Sequence, residues 1–225
     1  MARSGEPGGA GEPPASGDPV GSGDPAGTLE HRVEERIVGA DWALDELTRT
    51  HFERCEFIDV DLTEAALLGC VFTNCVLANV RANAATFTRC ALLHCVIRRS
   101  SLFDATFDDC KLTGTQFLDC TLRPLHVVGG DWAFVLLRGQ DLTGTKLSGL
   151  RLREADLTGA NLSRVDLTGA DLGYARLAEA KLRGADLRGA DLAGVQLRGL
   201  DLTGARIDLT QAALVAAAYG ADVRP

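Results

Sequence analysis

The sequence predicts a solenoid of short stacked coils, and three observations carry that expectation. Every fifth residue from Trp42 to Ile207 belongs to one series: Trp42, Leu47, Phe52, Phe57, Leu62 and onward to Leu197, Leu202 and Ile207. Of its 34 positions only Ala82 is not a large apolar residue, and no insertion or deletion breaks the register. A second series of smaller residues, including Cys55, Ala65, Cys70, Ala155 and Ala185, stands two positions before members of the first. The third observation is composition. Aromatic residues make up 5% of the chain, which carries 25 glycines, so many small, equal side chains must do the packing that large aromatics usually provide. A period of five fits neither the helix repeat of about 3.6 nor the strand repeat of about 2. A coil that turns a corner every five residues does fit it, each coil being stable only because its neighbours cover it.

Residues 1–27 are mostly Gly, Pro, Ser, Asp and Glu and hold five of the seven prolines. Such a segment buries too little apolar surface to offset its ordering entropy, and a disordered, solvated tail is expected. Residues 28–39 form an N-terminal cap segment. Leu29, Val33 and Ile37 recur at helical spacing with Thr28 placed as an N-cap and Glu30 in the first turn, which fits a short helix. Ile37 is also in phase with the period of five, which fits a first irregular coil. Either form covers the open end of the solenoid.

The solenoid proper spans residues 40–207. Its first half is rich in Phe and Cys, and six of the eight Phe fall on the central series. Its second half is more regular. Between them, residues 123–140 carry apolar side chains at phases that are polar elsewhere: Val128, Phe134 and Leu136. Pro124 and Gly129-Gly130 suggest an altered turn there. The stretch reads either as a repacked coil or as an exposed apolar contact patch.

After Ile207 the pattern becomes helical. Residues 208–225 form a helix and tail, with Asp208 or Thr210 as cap, an Ala-rich body from Gln211 to Tyr219, and Gly220 as the residue that ends it. One side carries Leu214, Ala217 and Ala218, the other Ala212, Val215 and Tyr219. A helix apolar nearly all round must be covered on both sides. The solenoid end covers one, and a second copy of the chain, meeting it through Leu209, Ala213, Leu214, Ala217 and Ala218, would cover the other.

Charge excludes some functions. The net charge is −8, with no basic patch of the kind a nucleic-acid binder needs. No apolar run is long enough for a membrane span, and no apolar secretory leader is present, so a cytoplasmic protein is expected. Residues 40–64 hold eight acids and two bases, which makes Asp45, Glu46, Asp59 and Asp61 candidates for contact with a basic partner.

Pentads such as Ala155-Asp156-Leu157-Thr158-Gly159 and Ala185-Asp186-Leu187-Arg188-Gly189 resemble the pentapeptide repeat family. The resemblance spans about residues 40–207. It implies an all-β fold, a right-handed quadrilateral β-helix of four pentads per coil, closed by a short C-terminal helix. The Phe- and Cys-rich first half and the closing helix look like the subgroup that includes the bacterial quinolone-resistance proteins. That subgroup implies a two-fold homodimer through the helix and a rod that binds DNA gyrase as a mimic of DNA. Divided by phase, however, the four faces of residues 40–209 are nearly neutral, with no acidic stripe as dense as the roughly one charge per 1.7 Å of DNA. A structural scaffold for an unrelated protein partner is the alternative.

No catalytic or cofactor chemistry is expected. All seven cysteines fall on the small inward series and read as core-filling residues, not as metal ligands or disulfides. His31, His51, His94 and His126 show no helical metal spacing. The many Asp residues before a central Leu are a feature of the repeat. There is no P-loop, dinucleotide fingerprint or nucleophile elbow.

Overall fold

The computed structural model describes residues 29–224, so the tail at residues 1–27 and the Thr28 cap lie outside the described residues. The chain winds as a right-handed, four-sided parallel β-solenoid. Each residue sits over the one twenty positions earlier: Phe52 pairs with Phe72, Phe57 with Leu77, and Leu47 with Leu67. Four five-residue sides therefore make one coil.

Three sides of the first half are continuous parallel sheets. One stacks Glu30–Val33, Thr50–Glu53, Val71–Thr73 and Ala91–Leu93; the next stacks strands from Arg36–Val38 to Gln116–Leu118; the third stacks strands from Glu46–Thr48 to Leu125–Val128. The fourth side, centred on Leu62, Ala82 and Leu102, is joined only by single bridges such as Asp61 to Arg81. Beyond residue 128 every side is held this way, as between Asp141 and Asn161. The change follows composition. The first half offers β-branched and aromatic runs such as Thr86-Phe87-Thr88, which favour extended backbone. The second half offers Asp and Gly.

The pentad Ala155–Gly159 shows why those residue types recur. Ala155 and Leu157 are fully buried. Asp156 Oδ1 accepts a hydrogen bond from the Thr158 amide, 3.1 Å, a local turn of the kind Asp favours. Gly159 lies at φ +67, and the Ala160 amide closes the turn on the Leu157 carbonyl, 3.0 Å. A tight turn with positive φ at its third residue is the position at which Gly costs least. First-half corners such as Arg49 and Arg54 hold the same positive φ without Gly.

The core is a column of central residues. Phe52 stacks on Phe72 with ring centroids 5.0 Å apart, and Phe87 on Phe107 at 4.7 Å. Six cysteines are buried and Cys120 is half-buried. Each thiol donates to the carbonyl 23 residues earlier, as Cys75 Sγ does to Phe52, 3.3 Å, and Thr115 Oγ1 does from the same slot to Leu92, 2.7 Å. The small series thus tethers one coil to the next as well as filling space.

The middle stretch is a repacked coil. Leu125 fills a small slot and is buried, while Val127 in the central slot is only half-buried. Gly130 lies so close to the coil below that a Cβ there would stand 2.3 Å from the Cys110 carbonyl oxygen. Trp132 is buried edge-on to Phe107, 5.6 Å.

Glu30–Val33 and Arg36–Val38 are two strands joined at a corner, not the helix that Leu29, Val33 and Ile37 suggested. Glu30–Val33 pairs in parallel with Thr50–Glu53. Of the three helical-spacing residues only Ile37 is buried. Docking onto an open sheet edge outweighs helical periodicity in so short a segment, which could not form an isolated helix in water. Arg32 takes the central position, its guanidinium 5.5 Å from the Phe52 ring centroid and hydrogen-bonded to Glu35.

The C-terminal helix runs from Leu209 to Ala218. Asp208 is its N-cap, with a reciprocal capping box to Gln211. Gln211 is buried and donates to the carbonyls of Leu187 and Ala190, and the Tyr219 hydroxyl accepts from the Gly199 amide, 3.3 Å. Side chains at the helix thus satisfy backbone groups that a further coil would otherwise meet, which protects the solenoid end from pairing with another chain.

Candidate functional site

The described surface offers no deep cleft lined by converging catalytic groups, and its special features lie at the two ends and the middle of the rod. At the N-terminal end, the acids predicted as a partner surface gather around the fourth side of the first coils. Asp59 stands at one corner of that side, Asp61 on it, and Asp45 and Glu46 just beyond its other corner. They are not equivalent. Asp61 is engaged: Arg81 Nη2 lies 2.6 Å from Oδ2, and Thr63 donates to Oδ1 through its amide and hydroxyl. These contacts, the Arg81 hydrogen bond foremost, pull its carboxyl down to about 2. Asp59 accepts from Asn79 Nδ2, 2.9 Å. Among the described residues Asp45, Glu46 and Asp59 have no ion-pair partner, whereas Glu56 pairs with Arg36 and Glu53 with Arg54.

Arg–Asp pairs in the same 20-residue register run along the rod, including Arg151 with Asp131 and Arg206 with Asp186. They explain the near-neutral sides: acids and bases stack on successive coils and cancel locally.

In the middle, Val128, Phe134 and Leu136 do not form one patch. Val128 ends a strand of the third sheet and Phe134 occupies the corner one side further on. Both are exposed, and Leu136 is half-buried. Tyr174 stands two coils from Phe134 on the same corner, with the Arg153 guanidinium 4.9 Å from its ring centroid, and it covers Gly194 so closely that a Cβ there would lie 2.5 Å from the ring. That corner presents two exposed aromatics.

At the C-terminal end the two helix faces separate differently from the sequence expectation. Gln211, Val215 and Ala218 face the last coil. Ala218 therefore leaves the outward set, which is Leu209, Leu214 and Ala217 with Ala213 half-buried. Leu209 is 90% exposed, so the outward face is apolar and uncovered among the described residues.

Sequence spacing missed one constellation. His31, His51 and Glu53 come together on the first sheet, offering ligand atoms within 4.8 Å of one another. The signal is present in the chain as spacings of 20 and 22. It is legible only once the coil length is known, because a helical search looks for three or four.

Fold and surfaces together define a parallel β-solenoid with five-residue sides and capped ends. The chain is a pentapeptide-repeat protein: residues 55–92, 137–173 and 170–208 match the family model of pentapeptide repeats in eight copies. No curated protein sequence matches the chain. Among solved structures, a trypsin-treated variant of QnrB1, a plasmid-mediated fluoroquinolone resistance protein, is 23% identical, with a TM-score of 0.74 over 86% of this chain and 99% of its own. Full-length QnrB1 is 21% identical, with a TM-score of 0.73 over 85% of this chain and 100% of its own. At these identities the likeness is one of fold. Among the described residues no helix is long and apolar enough to cross a membrane.

Proposed function

We propose that the protein is a non-enzymatic binding protein that occupies the DNA site of DNA gyrase or a related type II topoisomerase, as a protein mimic of DNA, and so protects the enzyme from topoisomerase poisons or inhibits it. The observation that supports this reading is the extent of the fold likeness to a fluoroquinolone resistance protein, which runs over 99% of that chain and 86% of this one. The working assembly is a cytoplasmic homodimer joined through Leu209, Leu214 and Ala217, with Ala213 at its margin. A two-fold axis there sets the acidic first coils at the far tips. Since the sides are nearly neutral, contact with a basic DNA-binding surface rests on rod shape and on the unpaired acids Asp45, Glu46 and Asp59, and less on Asp61, which Arg81 already neutralises.

A gyrase supercoiling assay with added protein, with and without a fluoroquinolone, tests the reading. Protection or inhibition is expected. No effect on supercoiling, no protection and no binding together would sink it. Neutralising Asp45, Glu46 and Asp59 should weaken binding and flatten its salt dependence. A second reading, a scaffold for an unrelated protein, is favoured by the exposed aromatic corner of Phe134 and Tyr174. A pull-down in which Phe134→Ser and Tyr174→Ser release a partner other than a topoisomerase would favour it.

A further inference from the structure

We propose that His31, His51 and Glu53 form a binding site for a divalent transition-metal ion that fastens the first coil of the solenoid to the second. The two histidines are register partners on adjacent parallel strands. Their rings stack with centroids 4.6 Å apart and planes 8° from parallel. Glu53 lies two residues after His51 on the same strand, so both point outward, and its Oε2 is 3.2 Å from His31 Nε2. One ligand atom from each of the three lies within 4.8 Å of the others, and among the described residues no other such trio of His, Cys, Asp and Glu occurs.

The donor set selects the ion. Two imidazole nitrogens and one carboxylate oxygen suit zinc and its first-row neighbours, whereas magnesium and calcium prefer all-oxygen shells. Metal–ligand bonds of about 2.0–2.1 Å require the ligand atoms to draw together to about 3.3 Å. Side-chain rotation supplies that movement, because His31 is exposed and the other two are half-buried. Water fills the remaining coordination positions.

The surroundings favour occupancy. The Thr73 hydroxyl lies 3.1 Å from His51 Nε2, so His51 would offer its Nδ1 to the ion while Thr73 holds the other ring nitrogen, the role outer partners play around metal-bound histidines. Arg54 bonds Glu53 through Oε1, leaving Oε2 for the site, and it also binds Glu34 Oε1 at 2.8 Å. Its single charge is thus shared by two carboxylates, and the neighbourhood stays net acidic when both imidazoles are neutral. The position gives the site its purpose. His31 belongs to the first described coil, which among the described residues has a neighbour on one side only, the position that opens most readily in a solenoid. Both other ligands belong to the coil beneath. An ion bound to all three holds that edge closed, and binding that requires the paired coils stabilises them.

Calorimetric titration of the untagged full-length chain with zinc chloride tests the proposal, with cobalt absorption as a second probe. One ion per chain is expected, with slowed amide exchange across residues 30–38. His31→Gln and His51→Gln should each weaken binding at least about tenfold, while His126→Gln, which sits elsewhere on Asp104, should not. In the unaltered protein, zinc should shift the imidazole resonances of His31 and His51 and leave His126 in place, a readout that does not depend on any variant folding. No uptake at about 1 mM zinc, unchanged affinity in the double His31→Gln/His51→Gln variant, or unshifted His31 and His51 resonances would each overturn the proposal.

Discussion

The Asp208 carboxylate accepts a hydrogen bond from the Gly189 amide at 2.8 Å, in the place that a backbone carbonyl fills one coil earlier. There the Gly169 amide donates to the Arg188 carbonyl, 3.0 Å. As the chain leaves the solenoid path to begin its helix, a side chain takes over from the missing coil. The other Asp208 oxygen caps the helix at the Gln211 amide, 3.0 Å. Asp208→Ala should therefore cost more than the about 1 kcal/mol of an ordinary N-cap loss, because it frees the last corner as well. Denaturant titration measures the cost, and Asp208→Asn should recover part of it.

Acid should loosen the rod from its Asp side chains. Arg188 hydrogen-bonded to Asp186 and Arg81 hydrogen-bonded to Asp61 each hold a carboxyl at about 2 in the folded chain, below the unfolded value of about 3.9. Asp208 is lowered by its two backbone donors, Gln211 and Gly189. A lowered folded value means the stabilisation is complete above the unfolded value and fades as pH falls from about 4 towards 2. Thermal melts across that window should show falling stability, and Asp61→Asn should flatten the slope.

Leu167 is fully buried in the central column. Leu167→Asp removes a packed side chain, a loss of about 2–5 kcal/mol even for Ala, and buries a carboxylate without a partner. Several coils should unfold, and an unchanged melting temperature would show that Leu167 does not face inward.

The thiols should be silent in the native state. The adjacent Cys110 thiol, with burial, pushes Cys90 up to about 12, and the Cys90 thiol together with burial raises Cys70 further. Only Cys120, half-buried near the altered corner, should react with a thiol reagent before denaturant is added. All seven should react afterwards. Cys75→Ala loses a weak hydrogen bond to the Phe52 carbonyl and little volume, so it should cost about 1 kcal/mol or less.

Leu214 and Ala217 point away from the last coil, so a charge at either is tolerated by the single chain. Leu214→Glu combined with Ala217→Glu should leave the melting curve of the solenoid in place and, under the proposed pairing, yield monomers in sedimentation. A dimer that persists would move the interface elsewhere.

Much of this was legible because inward positions are set by phase alone. Leu167, Cys75 and Ala155 face the core as their places in the series require, and the Asp before each central Leu is explained by the turn it closes. What was not legible depended on contacts across coils. Ile37 satisfies two periods at once, the helical spacing it shares with Leu29 and Val33 and the period of five, and only the open sheet edge decides between them. Leu125 enters a small slot because its coil is repacked around Gly130. Ala218 is turned inward by Gln211, whose amide binds the Leu187 and Ala190 carbonyls. His31 and His51 are strangers in the chain and neighbours in the fold.

The twenty-residue register makes chain length act as an angle. Each five-residue side turns the path by about a quarter circle, and each full set of four advances it by about 4.8 Å. Duplicating one pentad in the second half would leave the acidic coils where they are and swing the terminal helix by about 90° around the axis. Duplicating four would lengthen the rod and restore the helix to its original azimuth. The bearing of one end relative to the other is thus written in the number of pentads modulo four, so a change that leaves every core contact intact can still misalign the two tips of an assembled pair.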